Sequence, residues 1–284
     1  MFGKRILIGD GGLGTALQGQ GMPVGVSPEC WALARPEVVE DVTRQFFASG
    51  SDFVLTNTFG GNRPRLASVG RADRIHEVNV ESVRIARRVA PPGRYVFGSV
   101  GPTGSTGTGV EIEEVYREQA GLLAEVGVDA FWVETVCSTA EGVAAVRAIR
   151  SITDLPVAIL VTLAPNRQSL LLLSEESLGD AIRSFLTFEP AAIGVNCVSV
   201  DLLRSAVSTL TETLNTPFAI FPNAGTPHLV GGHPQYDADQ NQLAETVFSL
   251  KGDSPVVLGG CCGTTSEYVR RLSDQRTLEA NCQV

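Results

Sequence analysis

Three cysteines define the chemistry that this chain can do. Cys261 and Cys262 are adjacent in "VVLGGCCGTT" (256–265), fenced by Gly259, Gly260 and Gly263, and Cys197 closes the apolar run "AAIGVNC" (191–197). Neighbouring side chains of a strand point to opposite faces, so two successive cysteines serve one site only where the backbone bends. The flanking glycines are expected to supply that bend, because glycine alone reaches left-handed conformations cheaply. Three thiolates meeting at one point suit a soft or borderline metal. Zn2+ is the expected ion, since it accepts sulfur in tetrahedral geometry and has no redox chemistry of its own. Three protein ligands leave the fourth position open, the mark of a catalytic rather than a structural site. A single buried cysteine is usually a small packing residue. A vicinal pair between glycines with a third cysteine at a strand end is not, so Cys197, Cys261 and Cys262 are read as metal ligands and as the catalytic set.

An open, thiolate-ligated zinc suits a sulfur substrate, because a thiol bound to it ionises at neutral pH and becomes a strong nucleophile. Hydrolysis by metal-activated water is the competing chemistry. It ranks lower, since three thiolates donate charge and weaken the metal as a Lewis acid. Asp10, before Gly11 and Gly12, and Glu134, closing "DAFWVE", are expected to hold an ammonium group by charge-assisted hydrogen bonds. The amides around Gly11 and Gly12 are free to receive a carboxylate. Asn57, Asn196 and Asn223 are assigned to orienting substrate or loops. "GPTGSTGTG" (101–109) lacks the lysine of a phosphate loop and reads as a flexible active-site loop. His76 belongs to a helix surface, and His228 and His233 to a loop. Cys30, Cys137 and Cys282 are left to packing or surface.

These residues need a scaffold that gathers them. Eight apolar segments recur: 5–12, 52–61, 95–104, 130–136, 156–162, 191–197, 218–225 and 256–263. Each reads as a strand buried on both faces, as in parallel sheets. Helical patterns fill the gaps. "RPEVVEDVTRQFFASG" places Val39, Val42 and Phe46 on one face and stops at Gly50, and helices are expected near 77–90, 177–188, 200–214 and 239–250. Ser138 with Glu141, and Thr264 with Glu267, have capping-box spacing. The eightfold alternation predicts an α/β fold, a (β/α)8 TIM barrel, with residues 1–284 forming a single domain; a doubly wound sheet is the runner-up. Each unusual motif then falls at a strand's C-terminal end, where such barrels build their sites.

Composition removes several classes of partner. The 284 residues carry net charge −9, and no basic run exceeds two residues, so there is no electrostatic footprint for nucleic acid. The most apolar run, "LPVAILVTLAP" (155–165), is too short to span a membrane. With no signal-like start, a cytoplasmic protein with reduced thiols is expected.

The motifs "DGGLGT", "TNTFGGN", "GPTG", "VET", "GVNC", "PNAGTP" and "GGCCGTT" occur in the order seen in homocysteine S-methyltransferases. Over almost its whole length the chain resembles that family, and within it most resembles the homocysteine-binding module of cobalamin-dependent methionine synthase. The resemblance implies a (β/α)8 barrel, zinc on Cys197, Cys261 and Cys262, and contacts from Asp10 and Glu134 to the amino group of homocysteine. It implies methionine as product and leaves two donor schemes: a small S-methyl sulfonium, or a methyl-corrinoid delivered by a separate protein partner. Betaine-dependent relatives carry an aromatic residue where this chain has Thr135. With two Trp and four Tyr, of which Trp31 is best placed, a full aromatic cage for a quaternary ammonium is not expected. Two rival readings are a zinc hydrolase on the same barrel and a non-catalytic thiol- and zinc-binding subunit of a methyl-transfer system.

Overall fold

Runs of β-branched and aromatic residues buried on both faces make the barrel strands, and the helices cover their outer faces. The computed structural model describes residues 2, 6–104, 109–165, 170–231, 233–252 and 254–282. The strands are β1 (Ile6–Ile8), β2 (Phe53–Leu55), β3 (Tyr95–Val100), β4 (Ala130–Val136), β5 (Val157–Val161), β6 (Ala192–Val198), β7 (Phe218–Pro222), β8 (His228–Val230), β9 (His233–Gln235) and β10 (Val256–Leu258). Eight of them form one sheet in the order β1-β10-β7-β6-β5-β4-β3-β2, with every neighbouring pair parallel. Helices cross between them, so the architecture is a nearly closed, single-domain (β/α)8 barrel. Each barrel strand overlaps its expected segment. The short antiparallel β8–β9 hairpin was not anticipated. Among the described residues no helix is long and apolar enough to cross a membrane.

The alternation within each strand divides two cores. Ile6 and Ile8 face the helical layer, while Leu7 faces the barrel axis. The interior combines large rings with small side chains. Phe53 stacks on Phe97 at 4.1 Å, and Trp132 tilts against Phe221 at 4.9 Å. Ala158, Ala192 and Ala219 leave the room those rings fill. The barrel interior is therefore packed, not a pore.

Between β1 and β2 side chains take over the work of the ladder. The Ile8 N–H donates to the Asp52 carboxylate at 3.0 Å, and the Asp52 N–H donates to the Ile8 carbonyl at 2.7 Å. One turn higher, the Leu55 N–H donates to Asp10 Oδ2 at 2.8 Å. Arg94 and Arg276 both pair with Asp52, which keeps that buried charge compensated. Asp10 thus helps to join the two edges of the sheet as well as facing the site above it.

Candidate metal and thiol site

The C-terminal ends of the barrel strands open into a cavity of about 540 Å3. Its wall includes Asp10, Asn57, Glu134 and all of Cys197, Cys261 and Cys262. The three Sγ atoms lie within 4.8 Å of one another, with Cys197–Cys262 and Cys261–Cys262 both at 4.0 Å. Zinc–sulfur bonds of about 2.3 Å at tetrahedral angles would set sulfurs about 3.8 Å apart. The donor set and its spacing therefore fit such an ion.

Local backbone features aim these sulfurs. Cys197 sits at φ 60, and the β6–β7 register shifts between Asn196 and Val198 around it. A non-glycine residue in the left-handed region is a costly local conformation of the sort that clusters at functional sites. The Cys261–Cys262 loop is clamped from both sides. The Cys261 N–H donates to the Pro222 carbonyl at 2.8 Å, and the Cys262 carbonyl accepts from the Ala224 N–H at 2.9 Å. Of the three glycines around the pair only Gly263, at φ +80, has the expected left-handed backbone. Gly259 and Gly260 serve close approach instead: a Cβ on them would lie 2.2 Å from the Phe221 ring and 2.1 Å from Thr264 Oγ1. The bend the sequence suggested is present, but one glycine makes it and two make room beneath it.

The cysteines do not ionise alike. Hydrogen bonds from Cys197 and Cys261, helped by Tyr236, pull Cys262 down to about 3 despite its burial. Cys261 is raised well above the thiol range by its bonds to Cys197 and Cys262 and by burial. Cys197 is lowered by its bond from Cys261, but the bond to Cys262, burial and nearby negative charge push it up to about 12. One negative charge thus centres on Cys262, with two thiols donating to it. A divalent cation would relieve the repulsion that blocks further ionisation.

Across the cavity stand the two carboxylates. Glu134 Oε1 accepts from the Ser99 hydroxyl at 2.6 Å, and its Oε2 accepts from Asn196 Nδ2 at 3.2 Å. Desolvation outweighs the Ser99 bond and, with the charge on Cys262, pushes Glu134 up to about 7. Burial, followed by repulsion from Glu134, raises Asp10 well above the carboxylate range even though the Leu55 N–H opposes it. Asp10 Oδ1 is buried with no partner. An unsatisfied carboxylate oxygen beside a second carboxyl group fits the ammonium group of a ligand.

Several assignments move. Asn196 does not line the cavity. It is buried behind Glu134, taking the Thr135 N–H at 2.9 Å and donating to Thr135 Oγ1 at 2.9 Å, so it sets the carboxylate and the backbone rather than reaching the ligand. The Gly12 amide is not free, for it already donates to the Thr264 carbonyl and hydroxyl at 3.1 Å each, leaving Gly11 on that turn. Asn57 lines the wall with its amide donating to the Pro28 carbonyl at 2.6 Å. Asn223 Oδ1 is buried without a partner. Trp31 lines a neighbouring cavity of about 520 Å3, and Phe59 is the one aromatic ring among the described residues that line the cysteine cavity, with Tyr236 beside Cys262 at its edge, so these rings do not surround a common point as a cage would. His228 lies on the exposed hairpin, 3.2 Å from Asp237, and His233 is in β9. His76 is exposed on the helix Ile75–Val89, as expected. Residues 105–108 of the glycine-rich loop lie outside the described residues.

Sequence reasoning missed Ser99, Glu29, Arg65 and Tyr236. Ser99 is the one small polar side chain in the otherwise apolar and aromatic run "YVFGSV", which was a usable signal. Glu29 is a buried acid that accepts from the Gly60 N–H at 2.6 Å and the Ser27 hydroxyl at 2.5 Å. Tyr236 follows β9, its ring lying on Gly263, and nothing local in the sequence marks it. Of the two capping boxes, Ser138 does cap the helix Thr139–Arg150, while Glu141 turns away to Thr103 and Tyr116. Thr264 caps no helix; its hydroxyl donates to the Cys261 carbonyl at 2.7 Å.

Residues 7–276 match the family described as homocysteine S-methyltransferase. The chain is 32% identical to a methionine synthase of Mycobacterium leprae (strain TN) over 95% of its length, and 33% identical to that of Mycobacterium tuberculosis (strain ATCC 25618 / H37Rv) over 96%. It spans only 24% and 25% of those two proteins. The metallated form of the homocysteine methyltransferase MmuM from Escherichia coli superposes with a TM-score of 0.83 at 20% identity, covering 96% of this chain and 97% of that one. At that identity the likeness is one of fold.

Proposed function

The chain belongs to the homocysteine S-methyltransferase family, and we propose that it transfers a methyl group to the thiolate sulfur of homocysteine, giving methionine, with Zn2+ held by Cys197, Cys261 and Cys262. The observation that carries this reading is the pairing, in one cavity, of three converging thiols with two carboxyl groups that have no counter-ion among the described residues. When bound, zinc would lower the pKa of an incoming thiol and keep it as a thiolate at neutral pH.

The chain's own residues do the positioning. Asp10 and Glu134 take the ammonium group of homocysteine, and its charge returns both raised carboxyls to their ionised form. Ser99 and Asn196 fix the plane of Glu134 from behind. The apolar walls Leu13, Leu55 and Phe59 limit water around the reacting sulfur. Holding donor and thiolate in line removes much of the entropic barrier to a bimolecular step. The donor is an S-methyl sulfonium or a methyl-corrinoid on a separate protein. A cytoplasmic setting, where thiols stay reduced, fits the site, and residues 1–284 act as one homocysteine-binding barrel domain.

The test uses reduced, zinc-loaded protein given homocysteine and, separately, S-methylmethionine, dimethylsulfoniopropionate, betaine or methylcobalamin. Methionine formation with one donor is the expected result. Binding of zinc and homocysteine without turnover on any of them would replace this reading with a non-catalytic thiol-binding subunit. Hydrolysis without added thiol would replace it with a zinc hydrolase.

A further inference from the structure

The charge along the cavity wall is not uniform. At its base stand Asp10, Glu134 and the three cysteines; Glu29, also on the wall, has its carboxylate committed to Gly60 and Ser27. Arg65 is the single cation among the described lining residues. It lies on the exposed helix Arg63–Ser68, where its Cδ would be 3.1 Å from a Cβ on Gly104. Most arginines of the protein are ion-paired, as Arg63 is with Glu118 and Arg74 with Glu77. The Arg65 guanidinium has neither a hydrogen bond nor an ion pair among the described residues. Glu141, which follows β4, has its Oε1 bonded to Thr103 and Tyr116 and makes no ion pair with Arg65 among the described residues. Between base and rim the wall is apolar, with Leu13, Val26, Phe59 and Val69.

A ligand that matches this cavity is dipolar, with its positive part toward the thiolates and carboxylates and its negative part toward the rim. Homocysteine alone does not use the whole space, since a cavity of about 540 Å3 is in the range of drug-sized ligands. The remaining volume belongs to the methyl donor. We propose that Arg65 binds the carboxylate of a zwitterionic onium methyl donor and so selects carboxylate-bearing donors over simple onium ions. This rests on the homocysteine methyltransferase reading and names the donor class for the same cavity. In the transfer, the homocysteine thiolate supplies the electron pair of the new S–CH3 bond. The onium–CH3 bond breaks with its pair left on the donor heteroatom, which becomes neutral, so no oxidant or reductant is needed. The donor loses its positive charge while its carboxylate stays on Arg65. Guanidinium–carboxylate recognition there is geometric as well as electrostatic, so lysine should serve less well.

The experiment compares S-methylmethionine with trimethylsulfonium, which has the same reacting centre and no carboxylate, in the zinc-loaded wild type, Arg65→Ala and Arg65→Lys. Expected is a wild-type preference for S-methylmethionine in kcat/KM that falls about tenfold in Arg65→Ala and recovers in part in Arg65→Lys. The change should lie in the donor KM, with the homocysteine dissociation constant and zinc content as in the wild type. An equal loss for both donors, a preference unmoved by Arg65→Ala, or a loss that falls on homocysteine binding would overturn the proposal. So would a wild type that binds zinc and homocysteine but uses neither onium donor; the homocysteine reading would then stand and only the donor class would fall. If homocysteine itself does not bind, the functional reading is the one that fails, and the donor assignment falls with it.

Discussion

The sulfur side of the rim, on β6, β7 and β10, and the carboxylate side, on β1 to β4, reach similar ends by different means. On the sulfur side the backbone does the aiming: a left-handed Cys197, a register shift, and a loop clamped by Pro222 and Ala224. On the carboxylate side a left-handed Thr135 and a register shift between Val133 and Val136 bend the strand too, but hydrogen bonds to the carboxyl groups finish the aiming: the Ser99 and Asn196 side chains hold Glu134, and the Leu55 backbone N–H holds Asp10. In the proposed reading a cation completes each side, a metal ion on one and an ammonium group on the other. A site aimed by backbone fails when a ligand atom is lost. A site aimed by side chains can be detuned in steps.

The largest effect should come from the sulfur side. Cys261→Ser exchanges one thiolate for a hydroxyl that does not ionise near neutral pH, so bound zinc and methionine formation should fall together, by orders of magnitude. Metal content by mass spectrometry and turnover on the same sample check it. Full activity in a zinc-free variant would break the assigned role of this side.

Glu134→Gln should act next, on the other side alone. Losing one of two anions around the ammonium group should raise the homocysteine KM by roughly 10- to 100-fold at unchanged zinc content. The same variant has a signature in stability. Glu134 is raised from 4.5 to about 7 in the folded protein, so between those values the native state holds more protons than the unfolded one. The contribution of Glu134 to wild-type stability should therefore fall as pH rises from 4.5 through 7, by at most about 3 kcal/mol. In metal-free Glu134→Gln the slope should shrink to the part that Asp10, also raised by burial, contributes, as read from urea midpoints at several pH values. Homocysteine binding to the wild type should tighten as pH rises past 7, because the ammonium group needs the ionised acid. A slope left unchanged by the substitution would assign the proton to another group.

The same contrast explains what could be read from the sequence. The eight strands, their order and the barrel were legible because parallel strands buried on both faces are written as short apolar runs. So were the cysteines and the two acids, whose residue types are unusual at strand ends. The role of Asn196 was not legible, since its partners Glu134 and Thr135 are about sixty residues away in the chain and meet it only across the sheet. Nor was the occupied Gly12 amide, whose acceptor Thr264 is 252 residues distant. Gly259 and Gly260 were recognised, but their reason lies in Phe221 and Thr264, on other elements or the far side of the loop. Arg65 looked like any surface charge until the fold set it on the cavity wall with no ion pair among the described residues. Residue type survives in a sequence; the vacancy of a hydrogen-bonding group does not.

Asn196→Ala should detune the carboxylate side less than losing the acid itself. It strips the Thr135 N–H and Glu134 Oε2 of their partner. Leaving such groups unpaired costs about 1–3 kcal/mol, and a Glu134 freed to rotate should raise the homocysteine KM several-fold. Calorimetry for stability, and kinetics at saturating donor, separate the two effects. Unchanged homocysteine KM with lost stability would reduce Asn196 to a packing residue.

Thr264→Val should have the smallest effect, and the reason sharpens the comparison. The hydroxyl accepts from the Gly12 N–H at 3.1 Å and donates to the Cys261 carbonyl at 2.7 Å, tying the two sides of the rim together. Yet each partner keeps a backbone bond without it: the Gly12 N–H still reaches the Thr264 carbonyl at 3.1 Å, and the Cys261 carbonyl still receives the Thr264 N–H at 3.1 Å. Valine also fills the space against Gly260 that the threonine occupies. No buried group is orphaned, so the cost should be that of one net hydrogen bond, about 1 kcal/mol, with zinc affinity down only a few-fold. Chemical denaturation and competitive zinc titration measure both. A loss as large as that of Cys261→Ser would mean that the loop is aimed by this hydroxyl, and the sulfur side would then be a side-chain-aimed site like its neighbour.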